Sequence, residues 1–185
     1  DALLQTVREG ERAGFANSKH EWLFGNEAKD FGVNGWQPMN MFDQPEIEGF
    51  LRDTALAFDN VHALIPWRAA ALAQTGDRVE VAIEHGDTGE SQRVTADYLL
   101  GCDGASSFVR KTIGSGWLNL GYDHDWLVVD VIVKPGHTLT HSTVQVCDPD
   151  RICTYVCTKD PYRRWEFKLN EGETWDEMLE EEKIR

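Results

Sequence analysis

The residues best suited to chemistry gather in DYLLGCDGASSFVRKTIG, residues 97–114. An apolar run ends in Cys102-Asp103-Gly104, Ser106 and Ser107 follow, and Arg110 stands seven positions after the aspartate. A carboxylate released where a buried strand runs out faces the crevice at the carboxyl edge of an open α/β sheet, where ligands bind. Gly104 permits a sharp turn and the close approach of a ligand. Free N–H groups at the start of the next helix, with Ser107 and Arg110 beside them, favour an anionic or hydroxyl-rich partner. Asp103 itself suits sugar-like hydroxyls better than phosphate. The same letters also read as a tight Asp-Gly turn with Ser107 as a helix cap. Local chemistry leaves both readings open.

Other reactive side chains form no comparable group. The six histidines (His20, His62, His85, His124, His137, His141) are scattered and read as surface or structural residues. His124 borders the apolar run WLVVDV and is a candidate for contact with a substrate, and Trp117 is a candidate pocket wall. Asp130 shares a strand face with Trp126 and Ile132, which predicts a partly buried carboxylate held in an ion pair or hydrogen bond. Among the cysteines Cys102, Cys147, Cys153 and Cys157 there is no CxxC pair. Cys153 and Cys157 fall on one strand face about 13 Å apart, too far for a disulfide. Reduced, buried thiols in a cytoplasmic protein are expected, with no metal site.

The elements that must position these groups are a mixture. In DQPEIEGFLRDTALAF, Asp43 is a cap, Pro45 fits the first turn and Glu46 completes a capping box, with Ile47, Phe50, Leu51, Thr54 and Phe58 on one stripe. NVHALIPWRA reads as a strand, DRVEVAIEHGDTGESQRVTADYLLGC as a hairpin turning at HGDTGE, and YLLGC as a strand buried on both faces. A short helix starts near Ser106 or Ser107 and stops at Gly114. WLVVDVIVK, STVQVC, RICTYVCT and RRWEFKLN are antiparallel strands; the last turns Trp165, Phe167 and Leu169 inward and Arg164, Glu166 and Lys168 outward. A closing helix has a capping box in Thr174 to Glu177 and a stripe of Trp175, Met178 and Leu179. Trp126, Trp165 and Trp175 are expected in the core. DALLQTVREGERAGF looks like a helix tail and a loop, and HEWLFGNEAKDFG like two short strands about a turn.

Composition narrows the class. The chain has 185 residues with 41% hydrophobic and 27% charged, which is globular rather than disordered. Its net charge of -14 argues against nucleic acid or an anionic membrane surface as a partner. Neither a membrane span nor a leader is recognisable, and a start at Asp1 without methionine predicts residues removed upstream.

The run from Asp97 to Arg110 resembles the Asp-Gly fingerprint of the flavoprotein aromatic hydroxylases, the para-hydroxybenzoate hydroxylase-like class A monooxygenases: an apolar strand, then Asp-Gly-x-x-Ser-x-x-Arg, matched at Asp103, Gly104, Ser107 and Arg110. NMFDQPEIEGFL resembles the segment in which a glutamine before an acidic helix contacts the flavin, here Gln44, and LGYDHDWLVVDV resembles the opening of the substrate domain in the hydroxyphenylpropionate and resorcinol hydroxylase branch. The resemblance implies an α/β (α+β) fold, a partial FAD-binding domain with a mixed sheet plus an antiparallel substrate-domain sheet. It implies FAD and NAD(P)H as cofactors, Asp103 near FAD, Arg110 at the nicotinamide cofactor's pyrophosphate, and oxygen transfer to a small phenol-type substrate. Residues 1–40 would be part of the substrate domain and a connector, 41–114 the central part of the FAD-binding domain, and 115–185 substrate-domain strands and the closing helix.

Two family features have no counterpart. None of the sixteen glycines forms the GxGxxG loop that seats the FAD pyrophosphate, and the pairs Gly76-Asp77 and Gly86-Asp87 read as ordinary turns rather than the family's later Gly-Asp motif. An internal fragment is therefore expected, inactive alone, not retaining FAD, and prone to self-association through an exposed cut surface. The other reading is a non-catalytic binding or interaction module that keeps a flavoprotein-like sheet without the flavin.

Overall fold

The computed structural model describes residues 2–28 and 31–184. A 3-10 turn (Ala2–Gln5) leads into β1 (Val7–Glu9), β2 (Arg12–Asn17), β3 (Trp22–Glu27) and β4 (Asn40–Phe42). Then come α1 (Gln44–Leu56), β5 (Trp67–Thr75), β6 (Arg78–His85), β7 (Ser91–Ala96) and α2 (Phe108–Thr112). The chain closes with β8 (Trp126–Ile132), β9 (Ser142–Cys147), β10 (Cys153–Cys157), β11 (Tyr162–Lys168), α3 (Trp175–Met178) and α4 (Glu181–Ile184). It divides into two compact units, residues 1–55 with 123–185, and residues 56–122. The division falls after Ala55 and after Tyr122, and all of α1 but its last residue groups with the larger unit.

The larger unit holds a six-stranded mixed sheet in the order β3-β2-β9-β10-β11-β8. Every pairing in it is antiparallel except β2 with β9, which runs parallel from Arg12↔Ser142 to Asn17↔Cys147. Strand alternation sorts the two faces. On one, Leu127, Leu169 and Met178 are buried with Val129 and Phe167 packed against them. The capping box predicted for α3 is present in both halves, and it delivers Met178 to that core. Trp175 and Leu179 remain 44% and 55% exposed, so the expected stripe narrows to its methionine. On the other face Arg164 grips Asp130 across the β11–β8 ladder, with bonds of 2.8 and 3.0 Å. The ion pair expected of Asp130 is present, but the carboxylate is exposed rather than partly buried, at the rim of the ladder; the guanidinium holds that carboxyl below its usual range.

A charged residue is among the most deeply buried groups in this sheet. Arg163 is 2% exposed; its Nε donates to Tyr155 Oη at 2.9 Å and Nη2 to Asp160 Oδ1 at 2.6 Å. Tyr155 Oη in turn donates to the Thr140 carbonyl at 2.6 Å. The buried guanidinium is thereby matched on both sides, as a charge at that depth requires.

The smaller unit is built on an antiparallel meander, β5-β6-β7, turning at His85–Glu90 as predicted. Val81 and Ile83 are its buried apolar side chains. NVHALIPWRA becomes strand only from Trp67.

Several expectations are corrected. YLLGC is neither strand nor buried: Tyr98 is 87% and Leu100 85% exposed, because no neighbouring strand pairs with the run among the described residues. Cys102 and Cys147 are exposed and Cys153 half-buried, leaving Cys157 as the buried thiol. The α1 stripe is shallow, with Leu51 exposed and Phe58 beyond the helix end. The N-terminal loop is instead β1 and β2; HEWLFGNEAKDFG supplies β3, its residues 29–30 lie outside the described residues, and Phe31 and Gly32 are not strand. No helix is long and apolar enough to cross a membrane among the described residues.

Candidate functional site

A cleft of about 710 Å³ opens within the larger unit, with β4 and the first turns of α1 on one side and β8, β10 and β11 on the other. That volume lies in the range of small-molecule sites. Helix α1 starts where it was expected to: the Asp43 carboxylate accepts from the Glu46 N–H at 3.3 Å and the Asp43 carbonyl from the Ile47 N–H at 3.2 Å. Glu46 does not close the capping box. Its two carboxylate oxygens accept from Lys159 Nζ at 2.6 and 2.7 Å, and the same ammonium donates to the Gln5 carbonyl at 3.0 Å. The helix is thus fastened at its first turn to the β10–β11 connection.

Gln44, the expected flavin contact, is the first residue of α1 and lines this cleft. Glu48 and Arg52 follow at helical spacing, so one row of the helix faces the cavity. Gln44 Nε2 donates to Glu48 Oε1 at 2.7 Å. The opposite wall carries the Asp130–Arg164 pair, Tyr162, Glu166 and Thr158. Two wall atoms are buried without a hydrogen-bond partner, Asn40 Oδ1 and Thr158 Oγ1. Neither residue stood out in the sequence, since a lone Asn or Thr carries no spacing signal.

The Asp-Gly corner lies in the smaller unit. Asp103 is exposed, and both of its oxygens turn back onto α2: Oδ1 accepts from Ser107 Oγ at 2.5 Å, and Oδ2 from the N–H groups of Phe108 and Val109 at 2.6 and 3.1 Å. These bonds, the Ser107 hydroxyl first, hold its carboxyl below the usual range. Ser107 is 8% exposed and is the N-cap, accepting from the Arg110 N–H at 3.0 Å. The free N–H groups expected to attract an anion are therefore already satisfied from within the motif, because an aspartate four residues before the cap reaches them first. Gly104 takes φ +78 with open space around it, so the corner needs glycine for its backbone and leaves room beside it. Gly101 serves packing: a Cβ there would stand 2.7 Å from Val109 Cβ. The Arg110 guanidinium lies 4.2 Å over the Trp117 ring, a cation–π contact that holds the side chain outstretched.

Trp117, the expected pocket wall, is thus Arg110's stacking partner and 65% exposed. His124 lies in the larger unit, lining a separate hollow of about 430 Å³ with Asn170 and Glu173. Among the described residues no group of three or more His, Cys, Asp or Glu is placed to hold a metal ion.

Comparison with known proteins agrees with this geometry. Residues 6–185 match the family model described as FAD binding domain. The chain is 33% identical over 153 residues to the 3-(3-hydroxy-phenyl)propionate/3-hydroxycinnamic acid hydroxylase of Klebsiella pneumoniae, covering 82% of this chain and 27% of that protein. The hydroxylase of the same name from Escherichia coli K12 is 32% identical over 153 residues, with the same coverage. The chain therefore spans about a quarter of the length of the curated relatives it matches. Among solved structures, p-nitrophenol 4-monooxygenase from Pseudomonas putida superposes with a TM-score of 0.79 at 16% identity, over 96% of this chain and 45% of that one. Aklavinone-11 hydroxylase, in a ternary complex with FAD and aklavinone, does so with a TM-score of 0.71 at 19% identity, over 100% of this chain and 38% of that one. At such identities these two speak for the fold, and the sequence match speaks for descent. The chain belongs to the FAD binding domain family.

Proposed function

We propose that this chain is an internal segment of a cytoplasmic FAD- and NAD(P)H-dependent monooxygenase that hydroxylates a small phenolic substrate, and that alone it turns over nothing. The observation that carries the reading is the cleft under α1, which Gln44 opens and in which buried oxygens of Asn40 and Thr158 lack partners. Buried polar atoms without partners cost about 1–3 kcal/mol each, a cost that a ligand relieves once it draws those side chains toward the cleft. The residues fit FAD to that extent. When bound, FAD supplies the redox chemistry that passes an oxygen atom to the ring. The protein's own part is to bind, orient and exclude water. Gln44 offers its amide to the flavin. Asp103, braced by Ser107 and α2, uses its remaining lone pairs for sugar-like hydroxyls beside the open backbone at Gly104. Arg110, held out on Trp117, meets the pyrophosphate of NAD(P)H. His124 is a proposed substrate-side contact. The exposed apolar residues Tyr98, Leu100, Leu118 and Leu120 favour self-association of the isolated chain.

The missing glycine-rich loop supports the statement of inactivity. Even two lost charge-assisted bonds, about 3–6 kcal/mol together, weaken FAD binding by about two to four orders of magnitude. The test has two levels. Titration of this chain with FAD, followed by flavin fluorescence, gives no complex tighter than about 100 µM. A tight, yellow, stoichiometric complex overturns the reading of an incomplete cofactor site. In the intact enzyme, Asp103→Ala lowers FAD content or the rate of reduction by NAD(P)H; no change in either removes Asp103 from the site.

A further inference from the structure

The six-stranded sheet has two free edges, and they are finished differently. At β3 the pairing with β2 slips at a bulge between Phe15 and Ala16, Gly14 faces Gly25, and Glu27 closes the strand. Bulges and charge make an edge unfit for a further strand, and glycine weakens it. β8 has none of these devices. Its seven residues, WLVVDVI, pair with β11 without interruption from Trp126↔Lys168 to Ile132↔Tyr162 and include no Gly, Pro or Lys. Its one charge, Asp130, is matched by Arg164 of its own sheet. Val128 and Ile132 are 44% and 67% exposed, and no strand pairs with this edge among the described residues.

We propose that the free edge of β8 is a strand-addition surface on which a second copy of this chain pairs, β8 against β8, antiparallel about a two-fold axis at Val129. The backbone favours that occupant. The Leu169 N–H donates to the Asp125 carbonyl and the Val133 N–H to the Pro161 carbonyl, both at 2.9 Å. Odd-numbered residues of β8 therefore bond inward to β11, and Trp126, Val128, Asp130 and Ile132 turn their N–H and C=O groups outward. An axis at Val129 sets Trp126 opposite the second copy's Ile132 and Val128 opposite its Asp130, so every outward residue meets another. About eight N–H···O bonds then close across the axis. Charge selects the same register. An axis at Asp130 would oppose the two carboxylates, which is destabilising, and one at Val128 would leave Ile132 beyond the end of its partner strand. This surface belongs to the larger unit, whereas Tyr98, Leu100, Leu118 and Leu120 belong to the smaller, and it requires no reading of the catalytic chemistry.

Sedimentation velocity of the full chain tests this directly: a monomer–dimer equilibrium is expected, with dimer present by about 1 mM, the weak end of specific association. Hydrogen exchange followed by NMR then shows the amides of Trp126, Val128, Asp130 and Ile132 slowing as concentration rises, while the inward amides of Leu127, Val129 and Val131 change little. Val128→Pro removes one outward N–H from each copy and leaves the β8–β11 bonds in place. Two lost bonds weaken the dimer by about five- to a hundredfold. Cross-linking reads the register in a chain carrying Cys102→Ser and Cys147→Ser. Val129→Cys gives a disulfide dimer on mild oxidation, since facing residues of a pair without mutual hydrogen bonds stand about 4.5 Å apart at Cα. Val128→Cys does not, because its counterpart lies diagonally across at about 7–8 Å. Should Val128→Pro fail to fold, the concentration-dependent exchange and the cross-link decide without it. A monomer at every concentration overturns the proposal, and protection of the same four amides in the intact enzyme then gives the edge to a strand of that enzyme. A dimer that withstands Val128→Pro but is dispersed by Leu100→Lys with Leu118→Lys overturns it in favour of the smaller unit's apolar surface. Equal cross-linking at 128 and 129 overturns the axis at Val129.

Discussion

The contact between Lys159 and Glu46 decides how firmly the cleft's roof is held. Helix α1 has no fully buried residue, so little apolar area anchors it. Lys159 Nζ makes three hydrogen bonds, two to Glu46 and one to the Gln5 carbonyl, and the two side chains are 25% and 42% exposed. A fully exposed pair of this kind contributes about 0.2–1 kcal/mol, whereas charge-assisted bonds sheltered from water contribute about 1.5–3 kcal/mol. Partial exposure places this clamp near the lower of those ranges' meeting point, at about 1–1.5 kcal/mol. Lys159→Met keeps the aliphatic stem and removes the charge. Native-state hydrogen exchange then reports an opening of α1 about five- to tenfold more frequent, with the β8–β11 amides unchanged. Raising the salt concentration weakens α1 protection in the wild type and not in the variant. A double-mutant cycle with Glu46→Gln isolates the pair from the favourable effect of an acid in the first helical turn. If α1 exchange is unchanged, or if the whole sheet loosens equally, the clamp does not hold the helix.

Two further outcomes follow from groups outside the cleft. Tyr155→Phe removes one acceptor from the 2%-exposed Arg163 and the donor to the Thr140 carbonyl, and lowers stability in urea by about 2 kcal/mol; a loss below about 0.5 kcal/mol means that water replaces the hydroxyl. Glu173 is held down to about 2 from 4.5, chiefly by its bonds from Arg151 and then by the Asn170 N–H. A folded-state value below the unfolded one stabilises the fold above the unfolded value and loses that contribution as pH falls from 4.5 towards about 2. Arg151→Met moves the NMR titration midpoint of Glu173 upward and the acid-unfolding midpoint to higher pH, and a wild-type midpoint near 4.5 refutes the assignment.

Local signals were legible where the deciding contacts were local. The alternation of Trp165 and Phe167 placed β11, and the spacing of Thr174 and Glu177 placed the start of α3. Asp43 and Ser107 each cap the helix expected of them. Arg163 shares the parity of Trp165 and Phe167, so its inward placement follows from the same alternation. Long-range choices were not legible. Nothing near β2 declares that it pairs parallel with β9, since the complementary surface lies far along the chain. A continuous apolar run such as Tyr98–Leu100 specifies hydrophobic surface but not the partner that would make it a strand. Asn40 became informative only when its oxygen was found buried without a partner.

That parallel seam has a kinetic consequence. Arg12 meets Ser142 about 130 residues later, so closing it costs about 3 kcal/mol more chain entropy than closing a five-residue hairpin. Residues 56–122 form an uninterrupted stretch that acquires all its own strand partners as it leaves the ribosome. The amino-terminal hairpin β2–β3 must wait, with Phe15 and Phe24 stacked on each other, until β9 has been synthesised. During translation β2 therefore waits for β9, and the intervening unit matures inside a loop whose two ends have yet to meet.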